Sequence, residues 1–138
     1  MKLENQVCDL DQAKKLKELG LLQNYGYLQW VDGGQQGVRL CDFDGRIVID
    51  EAPFAFLPEY VECYTAFTVA ELGQMLPDWS NSYRTNPGEF THRYICEGPK
   101  DRERQGDTEA EARAAMLIYL LENNHLTPEE ANQRLAQS

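Results

Sequence analysis

The chain has 138 residues, of which 42% are apolar, and a formal net charge of −10 at pH 7. This length fits one domain with a single core, and the apolar content argues against a disordered chain. The acidic balance argues against direct binding of nucleic acid and of anionic membrane surfaces, since both require clustered lysine and arginine. The longest apolar run, Ala114 to Leu121, is far shorter than the roughly 20 residues of a membrane span. With a polar N-terminus and no secretory signal, the chain is predicted to be cytoplasmic.

The first predicted element is an amphipathic helix over about residues 10–19. It opens with Asp9 and Gln12, the pattern of a capping box, in which each side chain binds a free backbone N–H at the start of a helix. Apolar residues then recur at three-residue spacing along one face. The opposite face carries the basic cluster of the chain, which is interpreted as a solvated surface: Lys14, Lys15 and Lys17.

A β-rich section follows this helix. Residues 25–31 and 38–43 are rich in aromatic and β-branched side chains, which favour strands. Asp44-Gly45 is a hairpin signal because both positions tolerate positive φ, and residues 46–50 would return as a third strand. The sequence therefore predicts a meander of three antiparallel strands, with a further strand at residues 92–96.

Three more capping boxes predict three more helices. They pair Thr68 with Glu71, Thr108 with Glu111, and Thr127 with Glu130. The first starts a helix over about residues 69–76, and the last starts a terminal helix that runs to about residue 136. The middle box opens residues 107–121, predicted to form the buried central helix because Ala112 to Leu121 carry Arg113 as their one polar residue and are apolar on nearly all sides. The charged segment 97–106 before it is interpreted as a mobile connector.

These elements predict an α+β fold in a single domain over residues 1–138. A mainly antiparallel sheet of about four or five strands is expected to pack against the central helix of the C-terminal half, with the other helices flanking it. The predicted core consists of Trp30, Phe43, Ile47, Phe67, Leu72, Tyr94, Met116, Leu117, Leu120 and Leu121.

The sequence predicts no metal and no cofactor. Its four cysteines are too widely spaced for a CxxC pair, and with only two histidines no zinc-site spacing is present. All four are expected to be free thiols in a reducing cytosol. The acidic residues from Asp42 to Glu51 do not match a calcium loop, whose glycine stands at the sixth position, and turn formation explains them.

No catalytic residue is assigned. A nucleophilic cysteine requires a histidine base, but His92 and Cys96 on one strand would lie about 13 Å apart, beyond hydrogen-bond reach. A pocket near Tyr64, His92 and Cys96 is kept as an alternative, as the site of a small enzyme or ligand-binding domain.

A second candidate surface is the loop around Pro53 and Pro58, since prolines at this spacing oppose regular structure. Its aromatic and apolar residues are expected to fold onto the core. If exposed, they would form an interaction surface or a homodimer contact. These residues are Phe54, Phe56 and Leu57.

Three segments carry a resemblance to a known group of proteins: NQVCDLDQAKKLKELG, AFTVAELGQMLP and TEAEARAAMLIYLLENN. They look like a family of short hypothetical proteins from phages, prophages and mobile elements of gut Bacteroidales. That family has no established activity, so the resemblance implies no catalytic residues. It implies a cytoplasmic accessory protein of a phage or mobile element.

The sequence thus favours a non-enzymatic protein that acts through protein–protein interaction with an unidentified partner. A basic partner would complement the acidic surface. In one version of this hypothesis the acidic face imitates nucleic acid, and the alternatives are the small enzyme or ligand-binding domain and the homodimer described above.

Overall fold

The computed structural model describes residues 3–23, 27–32, 37–42, 62–85 and 94–137. Within them the chain has an α+β fold, as predicted. The helices are α1 (Leu10–Glu18), α2 (Val69–Met75), α3 (Glu109–Glu122) and α4 (Pro128–Ala136). The strands are β1 (Leu28–Asp32), β2 (Val38–Asp42), β3 (Glu62–Thr65), β4 (Ser82–Arg84), β5 (Tyr94–Glu97) and β6 (Glu103–Gly106). Short 3-10 turns at Leu3–Gln6 and Pro99–Asp101 complete these elements.

The described strands form two three-stranded antiparallel sheets, in the orders β2-β1-β3 and β4-β5-β6. The described strands therefore do not form the predicted single sheet of four or five strands. Helix α2 connects the two sheets. The strand before it, β3, pairs with β1 in the first sheet, and the strand after it, β4, pairs with β5 in the second. The predicted pairing of the first two strands is confirmed. The Asp44-Gly45 hairpin and the strand over residues 46–50 lie outside the described residues.

The prediction of a mobile connector at residues 97–106 was wrong. Residues Glu103 to Gly106 form β6, whose Arg104 pairs with Cys96 of β5. Side chains alternate along a strand, so Glu103 and Gln105 are exposed while Arg104 lies over the ring of Tyr119 on α3, at 4.2 Å from its centroid. The charged composition reflects this solvated face and does not indicate an unstructured segment.

The predicted helix starts agree with the structure, although two of the four predicted capping boxes differ in detail. Complete capping boxes are present at Asp9 and at Thr68. At α3 the Thr108 hydroxyl accepts the N–H of Glu111 at 3.1 Å, but the Glu111 carboxylate accepts the N–H of Asp107 and not that of Thr108. The reciprocal half of that box is thus displaced by one residue. At α4 the Thr127 hydroxyl accepts the N–H of Glu130 at 3.1 Å, but the reciprocal bond to the Glu130 carboxylate is not formed within the described residues.

Helix α3 lies at the centre of the fold, as predicted. It packs on the β4-β5-β6 sheet and contacts α1 and α2, while α4 packs against α2. Its buried side chains are Ala110, Ala112, Ala114, Met116, Leu117, Leu120 and Leu121. None of the described helices combines the length and apolar character needed to cross a membrane.

Most of the predicted core is confirmed. Six of the ten predicted residues are buried: Phe67, Leu72, Met116, Leu117, Leu120 and Leu121. Trp30 and Tyr94 are partly buried against the same cluster. The Trp30 indole has a polar N–H to satisfy, and it donates to the Cys8 carbonyl at 2.9 Å. Phe43 and Ile47 lie outside the described residues.

Candidate functional site: a groove between α1 and an edge strand

A groove of about 630 Å³ opens between α1 and β3. It is called the α1–β3 groove below. Its lining residues are Lys14, Lys17, Glu18, Glu62, Cys63 and Tyr64. The helix contributes three of them and the strand three consecutive ones, so the groove runs along the outer edge of the β2-β1-β3 sheet.

The centre of the groove is the Tyr64 ring with two ammonium groups over it. Lys14 and Lys17 are three residues apart on α1, a spacing that places both side chains on one face of a helix. Their Nζ atoms lie 5.6 Å and 5.0 Å from the Tyr64 ring centroid, within the range of cation–π attraction. Leu16, between them in sequence, is fully buried, and the helix packs against β3.

The Tyr64 hydroxyl is already engaged, because it donates a hydrogen bond to Glu62 Oε2 at 2.5 Å. This carboxylate acceptor raises the pKa of Tyr64 to about 12, since ionisation would place two negative charges together. Tyr64 is therefore a neutral phenol at physiological pH. It offers an aromatic face to cations and is not a base or nucleophile.

Neither lysine of the groove forms an ion pair within the described part of the chain. The described ion pairs are Lys15 with Glu122, Arg113 with Glu109, and Arg134 with Asp78. The Lys17 ammonium donates to the carbonyl oxygen of Cys63 at 3.3 Å, and the Lys14 ammonium has the Tyr64 ring as its described contact. Within the described part of the chain, both positive charges are therefore available to an anionic group that enters the groove.

The structure separates two residues of the predicted pocket. Tyr64 lines the α1–β3 groove, whereas Cys96 lies on β5 in the other sheet and is fully buried. The Cys96 Sγ atom is 3.4 Å from the Ser80 hydroxyl oxygen. The thiol has no access to solvent, and this burial raises its pKa, which favours the protonated form. His92 lies outside the described residues, as do Phe54, Phe56 and Leu57.

A network of polar side chains near Cys96 connects β4, α2 and α3. Arg113 donates to the Ser82 hydroxyl and to the Val69 carbonyl, both at 2.8 Å, and its guanidinium lies 3.1 Å from Glu109. Ser82 in turn donates to Glu109 at 2.8 Å. Because each partner is satisfied by another, this network holds the elements together and leaves no charge free for a ligand.

Two further buried titratable groups lie near the start of α2. Glu71 is 4% exposed; its Oε1 accepts the N–H of Thr68 at 2.9 Å, and its Oε2 has no hydrogen bond within the described residues. Burial raises the pKa of Glu71, as it raises the pKa of the Cys8 thiol to about 12. Both belong to the packed interior, and neither lines the α1–β3 groove.

Metal-binding geometry does not occur among the residues that the structure describes, since no three histidine, cysteine, aspartate or glutamate side chains converge. All four cysteines are free thiols, as expected. Of the acidic run from Asp42 to Glu51, only Asp42 is described.

No protein family model, no curated protein and no solved structure matches this chain. The chemistry of the groove is therefore inferred from its own residues. Sequence reasoning found its lysines as the basic cluster but interpreted them as a solvated face. The sequence signal for a binding site was the clustering of these lysines in an acidic chain, which has 13 basic and 23 acidic residues. Their convergence on Tyr64 depends on the packing of α1 against β3, which no local pattern encodes.

Proposed function

We propose that this chain is a non-enzymatic binding protein that acts through protein–protein contact, with the α1–β3 groove as its contact site. The observation that carries the proposal is the pair of ammonium groups over Tyr64, which have no carboxylate partner among the described residues. In a chain of net charge −10, an evenly mixed surface would pair them. Without an ion-pair partner among the described residues, they favour an anionic group from a partner.

The shape of the groove supports a segment of a protein as its occupant. Its volume of about 630 Å³ falls within the usual range of ligand sites, but it is open to solvent along the strand edge. Its rim carries both signs of charge, with Glu18 and Glu62 beside the lysines. A peptide segment with several side chains can complement such a mixed lining better than a compact anion can.

The expectation of a basic partner concerns another part of the surface. At the groove itself, the complementary group is acidic. A basic partner, or a nucleic-acid-binding protein that accepts this chain as a mimic, would have to contact the acidic residues elsewhere, and that version stays a prediction.

The alternatives have less support. A small enzyme with Tyr64, His92 and Cys96 in one pocket is disfavoured because the Cys96 thiol is buried in the other sheet. A homodimer through Phe54, Phe56 and Leu57 stays a prediction, because these residues lie outside the described part of the chain.

We also propose that the protein is a cytoplasmic accessory protein of a phage or mobile element. The support for this origin is the resemblance of residues 5–20, 66–77 and 108–124 to short proteins of such elements.

The binding proposal is tested by affinity capture from a host-cell lysate with three tagged baits. These are the wild-type chain, the double variant Lys14→Gln/Lys17→Gln, and Lys15→Gln as a matched control on the same helix. Lys15 is exposed to a similar degree, but it lies outside the groove and pairs with Glu122. Quantitative mass spectrometry should find a protein that wild type and Lys15→Gln retain and that the double variant loses. Equal retention by all three baits, or no retained protein, contradicts the proposal.

A further inference from the structure

The outer edge of β3 presents main-chain groups to the α1–β3 groove. The Ala66 N–H donates to the Leu28 carbonyl at 2.9 Å, and Tyr64 pairs with Trp30, so alternate residues of this segment point their backbone groups towards β1. Cys63, between Glu62 and Tyr64, therefore points its N–H and C=O away from β1. β3 is the last strand in the sheet order β2-β1-β3, so among the described strands no other strand pairs with it on this side.

Two side chains cover part of this edge. The Thr65 N–H donates to Gln23 Oε1 at 2.7 Å, and the Cys63 carbonyl accepts the Lys17 ammonium at 3.3 Å. A lysine whose ammonium covers a strand edge protects that edge from unwanted strand pairing, and Lys17 does this from the neighbouring helix α1. Here the protection is displaceable, because Lys17 is an exposed, flexible side chain whose bond to Cys63 is long. An acidic group entering the groove would draw this ammonium away and uncover the Cys63 carbonyl.

We infer that the partner supplies an extended acidic segment that adds to β3 as a further strand, paired at Cys63. This inference rests on the proposed function and names the kind of partner that the α1–β3 groove accepts. Strand addition to a sheet edge beside a helix is a recurring mode of peptide recognition, in which main-chain bonds give affinity and neighbouring side chains give specificity.

The register predicts which side chains the segment carries. If one residue of the segment pairs with Cys63, its two neighbours lie opposite Tyr64 and Glu62, on the face that holds the lysines. The neighbour opposite Tyr64 meets Lys14 and Lys17, so it should be aspartate or glutamate. The neighbour opposite Glu62 should not be acidic, because like charges directly opposite each other destabilise strand pairing. The preferred pattern is thus an acidic residue, any residue except proline, and a neutral or basic residue, in either chain direction.

The test is selection from a displayed library of random linear peptides on the wild-type protein, with the double variant Lys14→Ala/Lys17→Ala as the counter-selection. The peptides that distinguish the two proteins should carry this pattern. A synthetic copy of such a peptide should lose about tenfold in affinity for the double variant, as expected when two exposed ion pairs are removed. Discriminating peptides that are basic, or that tolerate proline at the central position, would overturn the inference, as would a selection that yields none.

Two measurements separate strand addition from simple anion binding. Amide hydrogen exchange at Cys63 should slow when the selected peptide binds, whereas methylation of the central backbone nitrogen of the peptide should abolish binding. Inorganic phosphate and free glutamate serve as small-anion probes. If either binds as tightly as the peptide, or if Cys63 exchange is unchanged, strand addition is wrong.

The failures of the two proposals are distinguishable. A lysate protein that depends on Lys14 and Lys17, together with a failed peptide selection, would leave the groove as the contact site but reject an extended segment. Loss of both results would reject the groove itself.

Discussion

The ammonium of Lys17 lies 5.0 Å from the centre of the Tyr64 ring, across the gap between α1 and the edge strand β3. The aromatic face of Tyr64 and the positive charge of Lys17 thus meet within the lining of the α1–β3 groove. The Tyr64 hydroxyl donates to Glu62, so the ring that faces the ammonium belongs to a neutral phenol and the contact is a cation–π contact.

The bond between Tyr64 and Glu62 predicts a measurable pH effect. The Tyr64 pKa should be about 12, compared with about 10 for tyrosine in an unfolded chain. Because the folded value is the higher one, the contribution of this phenol to stability is complete below about pH 10 and is lost as the pH rises towards the folded value. NMR titration of the Tyr64 ring should show the raised pKa, and Glu62→Gln should lower it. A raised pKa that persists in Glu62→Gln would contradict this cause.

A second pH effect is expected from the buried carboxyl of Glu71. Burial raises its folded pKa above the value of about 4.3 in an unfolded chain, so its contribution to stability is complete in acid and is lost as the pH rises through the folded pKa. Replacing it in Glu71→Gln removes the buried charge while Oε1 can still accept the Thr68 N–H. The variant should gain about 1 kcal/mol in unfolding free energy at pH 7 relative to wild type, and the gain should disappear near pH 4.

The matched control for this prediction is Glu130→Gln. Glu130 holds the same position in α4 as Glu71 holds in α2, three residues after a threonine cap, but it is exposed. Urea denaturation at several pH values should therefore show no gain for it at neutral pH. A Glu71→Gln variant that is equally destabilised at every pH would rule out the desolvation account.

The close approach of β6 to α3 predicts that Gly106 tolerates no side chain. A Cβ at this position would lie 2.6 Å from the backbone nitrogen of Ala112, and backbone cannot move aside cheaply. Gly106→Ala should lower the unfolding free energy by about 3 kcal/mol. Gly98→Ala is the comparison, because its Cβ would meet the flexible end of Met116, which can rotate away. Equal losses in urea denaturation would contradict this difference.

Thiol reactivity should identify the groove. Cys63 is partly exposed and lines it, while the other three thiols are buried. Burial also raises the pKa of Cys8 to about 12, which disfavours its reactive thiolate. Ellman's reagent should modify one thiol rapidly in the native protein and the rest only after unfolding. The rapid phase should be absent in Cys63→Ser, and its survival in that variant would show that another cysteine is accessible.

Local signals predicted the helices because caps are local. The pairs Asp9 with Gln12 and Thr68 with Glu71 can be found within four residues of sequence and form as expected. The two-sheet arrangement was not predictable in this way. Strand β3 pairs with β1 at sequence separations from 30 residues, between Asp32 and Glu62, upwards. The charged segment that forms β6 has a recognisable strand pattern only once Arg104 is seen to pack on Tyr119 of α3.

The groove was partly predictable. Tyr64 was singled out for a pocket shared with Cys96; it lines the α1–β3 groove, whereas Cys96 lies in the other sheet. The lysines were noticed and assigned to a solvated face, because helical periodicity shows which residues share a face but not what that face contacts.

The most direct test of the account places a photo-crosslinking phenylalanine derivative at Glu18, on the rim of the groove, or at Glu129, on the exposed face of α4. Irradiation in a cell lysate should join one protein to position 18 and not to position 129. The adduct should be lost when the same protein also carries the substitutions Lys14→Gln and Lys17→Gln. It should be weakened at high salt, because exposed charges are screened. An adduct at position 18 that survives loss of both lysines, or the same partner at position 129, would contradict the assignment of the α1–β3 groove as the binding site.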